Sequence, residues 1–225
     1  MSATIAYRKL LLVPGSPGVW DSAPPSEFHR SLQARLCAAL GTRAASLPPS
    51  YSTASCHARQ HGVEAAMRAM RTDGKVYVGH SEGGARLLHA LRSADAAAGV
   101  AAVVLVSPAY ALRQCAAAGV DVDAAVRTLR AAGTRVLLLD TERGFGGDDA
   151  RYAWPQTRGR LTDAVRLNTG WRHTVIEGST HSLRHGRGAA GADAVLAWLD
   201  AADDPRPAAD AAAAGVRARA RVLDA

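Results

Sequence analysis

The sequence predicts an α/β protein: a doubly wound, mostly parallel sheet of about six strands with helices on both faces. Strand-like apolar runs alternate about six times with segments of helical periodicity. Two of these runs, Val100 to Val106 and Thr134 to Leu139, are almost wholly apolar, as expected of strands covered on both faces. Gly and Pro clusters separate the elements. Such alternation is typical of parallel sheets whose crossover connections are helices.

The predicted strands share a short apolar run and are Arg8 to Val13, Arg43 to Leu47 at an edge, Lys75 to Val78, Val100 to Val106, Thr134 to Leu139 and His173 to Ile176. The predicted helices share apolar residues three or four positions apart and are Glu27 to Leu40, His57 to Met70, Glu82 to Leu91, Val120 to Ala132, Thr157 to Leu167 and Ala189 to Leu199. Residues 1–200 therefore predict one domain. Residues 201–225 form an Ala- and Arg-rich C-terminal tail.

The composition of the chain, with 48% hydrophobic and 21% charged residues, is that of an ordinary globular domain. No apolar run is long enough to span a bilayer, and the early run Leu10 to Val13 is too short for a signal peptide. We therefore expect a cytoplasmic protein with no membrane partner. The scarcity of Lys beside abundant Arg, Ala and Gly resembles the codon bias of a GC-rich bacterial genome.

The net charge of +7 allows two interpretations. It suits an acidic partner, such as a carrier protein, but scattered arginines also suit a solvated surface, which we favour. Because aromatic residues make up only 5% of the chain, we expect no nucleic-acid partner. The three cysteines, Cys37, Cys56 and Cys115, lack metal-ligand spacing, and their odd number does not suggest a disulfide framework.

The segment from Gly79 to Gly84 has the pattern Gly-x-Ser-x-Gly between a predicted strand and a predicted helix. This is the pattern of a nucleophile elbow, in which a serine occupies a strained turn. Only small residues two positions before and after the serine let strand and helix approach closely. Gly79 and Gly83 meet this need, so Ser81 is the predicted nucleophile.

A serine hydroxyl needs a neighbouring base to take its proton. In a parallel sheet, that base comes from another loop at the carboxyl ends of the strands. His181, five residues past the last predicted strand, is the predicted base because it fits the chain order serine, acid, histidine. His57 and His185 are the alternatives, and His80 is expected to pack beside the elbow.

The acid that orients His181 should follow the strand ending at Leu139. The Gly-rich segment 144–147 is interpreted as an insertion that displaces the acid to Asp149. The other carboxylates of this region stay open as alternatives, and they are Asp148, Glu142 and Asp140.

An oxyanion hole needs two backbone N–H groups directed at the developing negative charge. The first is expected from Glu82, at the start of the helix after the nucleophile. The second is expected from Ser16, in the Pro- and Gly-rich loop after the first strand, because Pro17 has no N–H to donate. The segment between Val106 and Thr134 is too short for a large cap domain, so the pocket above Ser81 should be shallow or shaped by loops. Four aromatic residues are candidates either for its lining or for ordinary packing: Trp20, Tyr51, Tyr110 and Trp154.

Together, these motifs resemble the α/β-hydrolase superfamily over roughly residues 7 to 200. The resemblance rests on Gly79 to Gly84, on Val13 to Ser16, on Val104 to Pro108 and on Gly178 to His181. Within the superfamily, the chain is similar to small lid-less serine hydrolases related to retinoblastoma-binding protein 9. The resemblance implies a Ser-His-Asp triad with no metal and no organic cofactor. The chain departs from the family in beginning at what would be the family's third strand, so we expect about six strands rather than eight.

These inferences favour a serine hydrolase, an esterase or thioesterase acting on a small-molecule acyl substrate through an acyl-enzyme on Ser81. A bacterial biosynthetic pathway is a possible setting by family analogy alone. Two alternatives remain open: a non-hydrolytic lyase or cyclase on the same fold, and a binding protein with a degenerate site.

Overall fold

A parallel sheet runs through the middle of the protein in a computed structural model, which describes residues 9–15, 27–40, 44–45, 47, 55–70, 72–109, 120–142, 155–179, 181, 183 and 187–201. Within these ranges the strands are β1 (Lys9–Val13), β2 (Ala44–Ala45), β3 (Lys75–His80), β4 (Val100–Val106), β5 (Arg135–Thr141) and β6 (Arg172–Ile176). Their order is β2-β1-β3-β4-β5-β6, and every neighbouring pair is parallel. The predicted fold class is confirmed. The tail beyond residue 201 lies outside the described residues.

Helices cover both faces of the sheet, and they are α1 (Glu27–Leu40), α2 (Cys56–Ala69), α3 (Glu82–Ala90), α4 (Ala94–Ala97), α5 (Val122–Ala131), α6 (Pro155–Leu167) and α7 (Arg187–Asp200). On one face, Leu36 of α1 and Val195 and Trp198 of α7 pack on the even-numbered residues of β3. On the other face lie α2, α3, α5 and α6, whose apolar side chains form a second core cluster with Tyr77. The sheet is therefore doubly wound.

Local signals explain where several helices begin. The Ser55 hydroxyl accepts a hydrogen bond from the Ala58 N–H at 3.3 Å, so α2 begins one residue before its predicted start. The Asp121 carboxylate caps α5 in the same way, at 2.9 Å from the Ala124 nitrogen. The short helix α4 was not predicted, because four residues are too few to show a helical period.

The strand register brings the carboxyl ends of the central strands to one edge of the sheet. Val13 of β1 pairs with Gly79 of β3, and His80 pairs with Val106 of β4. In β5, Thr141 pairs with Ile176 of β6. The segments that follow these five strands therefore start side by side, which is where sites form in open parallel sheets.

The described cysteines differ in state. Cys56, at the start of α2, is disulfide-bonded, and Cys37 is a free thiol. The cysteine count and spacing suggested no disulfide framework, so the disulfide at Cys56 was not predicted. An odd count still leaves room for one pair. Cys115 lies outside the described residues.

Among the helices of the described ranges, none has both the length and the apolar character that crossing a membrane requires.

Candidate active site

Ser81 lies at the turn between β3 and α3 in a strained backbone conformation, with φ 54° and ψ −123°. Residues other than glycine rarely adopt a positive φ, and such outliers concentrate at functional sites. Backbone hydrogen bonds hold the turn: the Ser81 N–H donates to the Val106 carbonyl at 2.9 Å, and the Ser81 carbonyl accepts from Ala109 at 2.8 Å and from Gly84 at 3.0 Å. The end of β4 thus fixes the elbow.

Glycines allow the close packing around this turn. A Cβ on Gly83 would lie 2.1 Å from the Val13 carbonyl oxygen, and one on Gly79 would lie 2.7 Å from the Gly84 Cα. The need for small residues around the serine therefore arises from backbone atoms, which cannot rotate away. Gly15, after β1, faces the nucleophile itself, since a Cβ there would come within 3.0 Å of the Ser81 Cβ.

The predicted base lies beside the predicted nucleophile. The Nε2 atom of His181 is 2.8 Å from the Oγ atom of Ser81, although the two residues are 100 positions apart. Burial, and secondarily the neighbouring His80, lower the pKa of His181 to about 3. The imidazole is therefore neutral at physiological pH, and a neutral ring with its proton on Nδ1 can accept the serine proton at Nε2.

The loop that carries His181 is tied to the ends of β5 and β6. The Gly178 N–H donates to a carboxylate oxygen of Glu142 at 2.6 Å, and the Glu142 N–H donates to the Ile176 carbonyl at 3.2 Å. The buried Ser179 hydroxyl also donates to the Ile176 carbonyl. Leu183, beyond the base, is fully buried. Glu142, an alternative for the acid, thus contacts the main chain that leads to His181.

Asp140, another alternative for the acid, lies inside β5 and is buried. Its Oδ2 atom is 3.0 Å from Nε2 of His173 on β6. The contacts described for Asp140 and Glu142 thus run to His173 and to Gly178. The predicted acid Asp149 and the alternative Asp148 lie outside the described residues.

The two predicted oxyanion donors have different standing in the structure. Glu82 begins α3 directly after Ser81, where the backbone N–H groups of a helix are unpaired. Ser16 lies outside the described residues, but its neighbour Gly15 adjoins Ser81.

Of the other predicted residues, His57 is exposed on α2. The rest lie outside the described residues, and they are His185, Trp20, Tyr51, Tyr110 and Trp154.

A buried ion pair beneath the elbow was not predicted. The Arg86 side chain is fully buried and pairs with the Glu82 carboxylate one helical turn away. Its Nη1 atom also donates to the Cys56 carbonyl at 2.8 Å, which links α3 to the start of α2. The i, i+4 spacing of Glu82 and Arg86 was the available sequence signal.

A buried hydroxyl pair lies where β4 and β5 end. The Oγ atom of Ser107 is 3.0 Å from Oγ1 of Thr141, and Ser107 has a positive φ of 39°. The pair joins the segment that follows β4 to the end of β5. In that segment, the Ala109 N–H donates to the Ser81 carbonyl in the elbow.

Across the described ranges, His, Cys, Asp and Glu side chains form no group of three or more that could hold a metal ion.

No family model matches this sequence, and no curated protein matches it. Solved structures with a similar fold do exist. The ydeN gene product of B. subtilis has a TM-score of 0.60 at 11% identity, over 86% of this chain and 99% of that one. Est1E from Butyrivibrio proteoclasticus has a TM-score of 0.53 at 13% identity, over 88% and 90%.

A third similar structure is MGS-M1, an α/β-hydrolase enzyme from a Medee basin deep-sea metagenome library. It has a TM-score of 0.55 at 16% identity, over 86% of this chain and 84% of that one. Identities this low establish the fold and not the activity. The resemblance to the group of retinoblastoma-binding protein 9 stays a prediction. The chain has the α/β-hydrolase fold.

Proposed function

We propose that this protein is a serine hydrolase, an esterase or thioesterase that forms an acyl-enzyme on Ser81. The observation that carries the proposal is the 2.8 Å contact between Ser81 Oγ and His181 Nε2 at a strained strand-to-helix turn. This pairing of a half-buried serine nucleophile with a neutral base is the arrangement that acyl transfer needs. Similar folds in carboxylesterases and in lipolytic enzymes add support.

In the proposed reaction, Ser81 Oγ attacks the acyl carbonyl carbon while His181 Nε2 takes the hydroxyl proton. The tetrahedral oxyanion accepts hydrogen bonds from the N–H groups of Glu82 and Ser16. The bond to the leaving group then breaks, and His181 returns the proton to that group. Water attacks the acyl-enzyme by the same route in reverse, which releases the acid and restores Ser81.

A carboxylate at His181 Nδ1 completes the proposal. Burial lowers the pKa of His181 and so weakens it as a base, whereas a carboxylate that accepts from Nδ1–H raises the pKa and fixes the tautomer. We assign this role to Asp149, which follows β5 in the chain order of the fold.

Labelling by a fluorophosphonate probe tests the nucleophile. We expect the wild type to be labelled and Ser81→Ala to be unlabelled, with esterase activity on p-nitrophenyl acetate falling by at least about 10⁴-fold. Ser93→Ala is the matched control, because Ser93 is exposed and its hydroxyl caps nothing. Equal labelling of the wild type and Ser81→Ala would overturn the proposal. Natural-substrate turnover by Ser81→Ala but not by His181→Ala would instead favour a lyase or cyclase.

Isosteric amides test the acid. Asp149→Asn should lower kcat by about 10³- to 10⁴-fold, as expected when a base loses the carboxylate that orients it. Asp148→Asn, Asp140→Asn and Glu142→Gln should retain most of the activity. The Glu142 substitution is informative because the glutamine amide oxygen still accepts from Gly178. A loss at one of these three residues instead would reassign the acid.

A further inference from the structure

His80 is the last residue of β3 and is only 7% exposed. Side chains two positions apart on a strand share a face, so His80 points to the same side of the sheet as Val76 and Val78. Leu183, from the loop that carries His181, packs in the same core cluster as these two valines. The buried imidazole of His80 is therefore directed at the loop of the base, across 101 positions of sequence.

Two contacts join His80 to His181. The His80 Nε2 atom lies 2.9 Å from the His181 main-chain carbonyl oxygen. The two rings are also stacked, with centroids 5.1 Å apart and an interplanar angle of 29°. Because a carbonyl oxygen can only accept, Nε2 of His80 must carry a proton and donate it. His80 thus restrains both the main chain and the ring of His181.

The two contacts of His80 bear on the geometry between Ser81 and His181, because of where His80 lies in the chain. His80 directly precedes Ser81 on the buried central strand, whereas His181 belongs to a loop. His80 therefore connects the loop of His181 directly to β3, the strand that ends at Ser81. This connection helps to fix the distance between Ser81 Oγ and His181 Nε2. A shift of about 1 Å in a catalytic group can reduce the rate about 100-fold.

We propose that His80 is a positioning residue for His181, one that holds the imidazole against Ser81 through a hydrogen bond to the His181 carbonyl and through ring stacking. This inference rests on the proposed serine hydrolase function.

Three substitutions separate the donor from the ring. In His80→Gln, the amide nitrogen is as many bonds from Cα as Nε2 is, so the donor is kept. His80→Asn places its amide one bond short, and His80→Phe keeps a stacking ring without a donor. With p-nitrophenyl acetate, we expect kcat to fall about 10- to 100-fold in His80→Phe and His80→Asn at unchanged KM. His80→Gln should recover most of this loss.

Controls keep the inference apart from the proposed function. His61→Gln makes the same change at an exposed site on α2 and should keep wild-type kcat. Wild-type kcat in His80→Phe overturns the inference, as do equal values in His80→Asn and His80→Gln. If His80→Phe does not fold, the comparison of Asn with Gln decides. Failure of the proposed function appears separately, as full activity or full fluorophosphonate labelling in Ser81→Ala.

Discussion

Gly83→Ala tests whether the elbow depends on the close approach of α3 and β1. The new Cβ would lie 2.1 Å from the Val13 carbonyl oxygen and 2.6 Å from that of Pro14, both backbone atoms. An ordinary contact begins at 3.4 Å, so the two elements must separate by about 1.3 Å. Overpacking of this kind costs about 1–3 kcal/mol of stability, or somewhat more. The same shift moves the loop at Gly15 away from Ser81 and should slow acylation about 100-fold.

Urea denaturation gives the stability change, and the rate of fluorophosphonate labelling gives the effect on the site. Gly159→Ala is the matched control: it is also a helical glycine, but a Cβ there meets nothing within 4 Å. Since Ala has the higher helix propensity, the control should be neutral or up to about 1 kcal/mol more stable. If Gly83→Ala matched the control in both stability and labelling rate, the close approach would not be what constrains residue 83.

Three further outcomes are expected. Glu82→Gln and Arg86→Met should each lower the free energy of unfolding by about 3–5 kcal/mol, because each leaves a buried charge unpaired. The double substitution should cost less than the sum of the two in urea denaturation, and strict additivity would argue against a direct pair. In Asp149→Asn, which removes the proposed carboxylate, burial lowers the pKa of His181 from 6.5 to about 3, so between these values the unfolded chain binds more protons and stability falls as the pH falls. The loss, about 2 kcal/mol from pH 6.5 to pH 5, should vanish when His181→Gln is added; persistence there would assign it to other groups. Ser107→Ala should cost about 1 kcal/mol through loss of the bond to the Thr141 hydroxyl, and an unchanged urea midpoint would contradict this.

The alternation of elements and the fully apolar runs sufficed to predict the fold, because a doubly wound parallel sheet imposes both patterns on the chain. The bounds were less accurate where tertiary contacts override local preference. β5 was predicted to end at Leu139 but continues to Thr141. The polar Asp140 is accommodated in the sheet because β6 supplies His173 as its partner. That pairing depends on strand register, which residues around Asp140 do not encode.

In the candidate site too, features that depend on local sequence were predicted, and features that depend on tertiary contacts were not. The elbow is local, so glycine spacing around Ser81 was enough to find it, and chain order was enough to select His181. The contact of His80 with the His181 carbonyl was missed, because it depends on which face of β3 the loop after β6 crosses. Arg86 was missed for a different reason: a fully buried arginine is rare, and although its spacing from Glu82 fits a helical ion pair, only the fold reveals that the pair is buried beside the Cys56 carbonyl.

The positive φ of Ser81 indicates that selection at this position has not acted on stability alone. A positive φ at a residue with a side chain costs about 1–3 kcal/mol, and glycine would relieve it. A chain selected for stability alone would therefore carry glycine at position 81, as it does at the neighbouring positions 79, 83 and 84. Backbone hydrogen bonds of Ser81 retain the unfavourable turn. Serine at this position is thus a destabilising choice that selection has kept, which is a reason, independent of any relative, to look for chemistry at its hydroxyl.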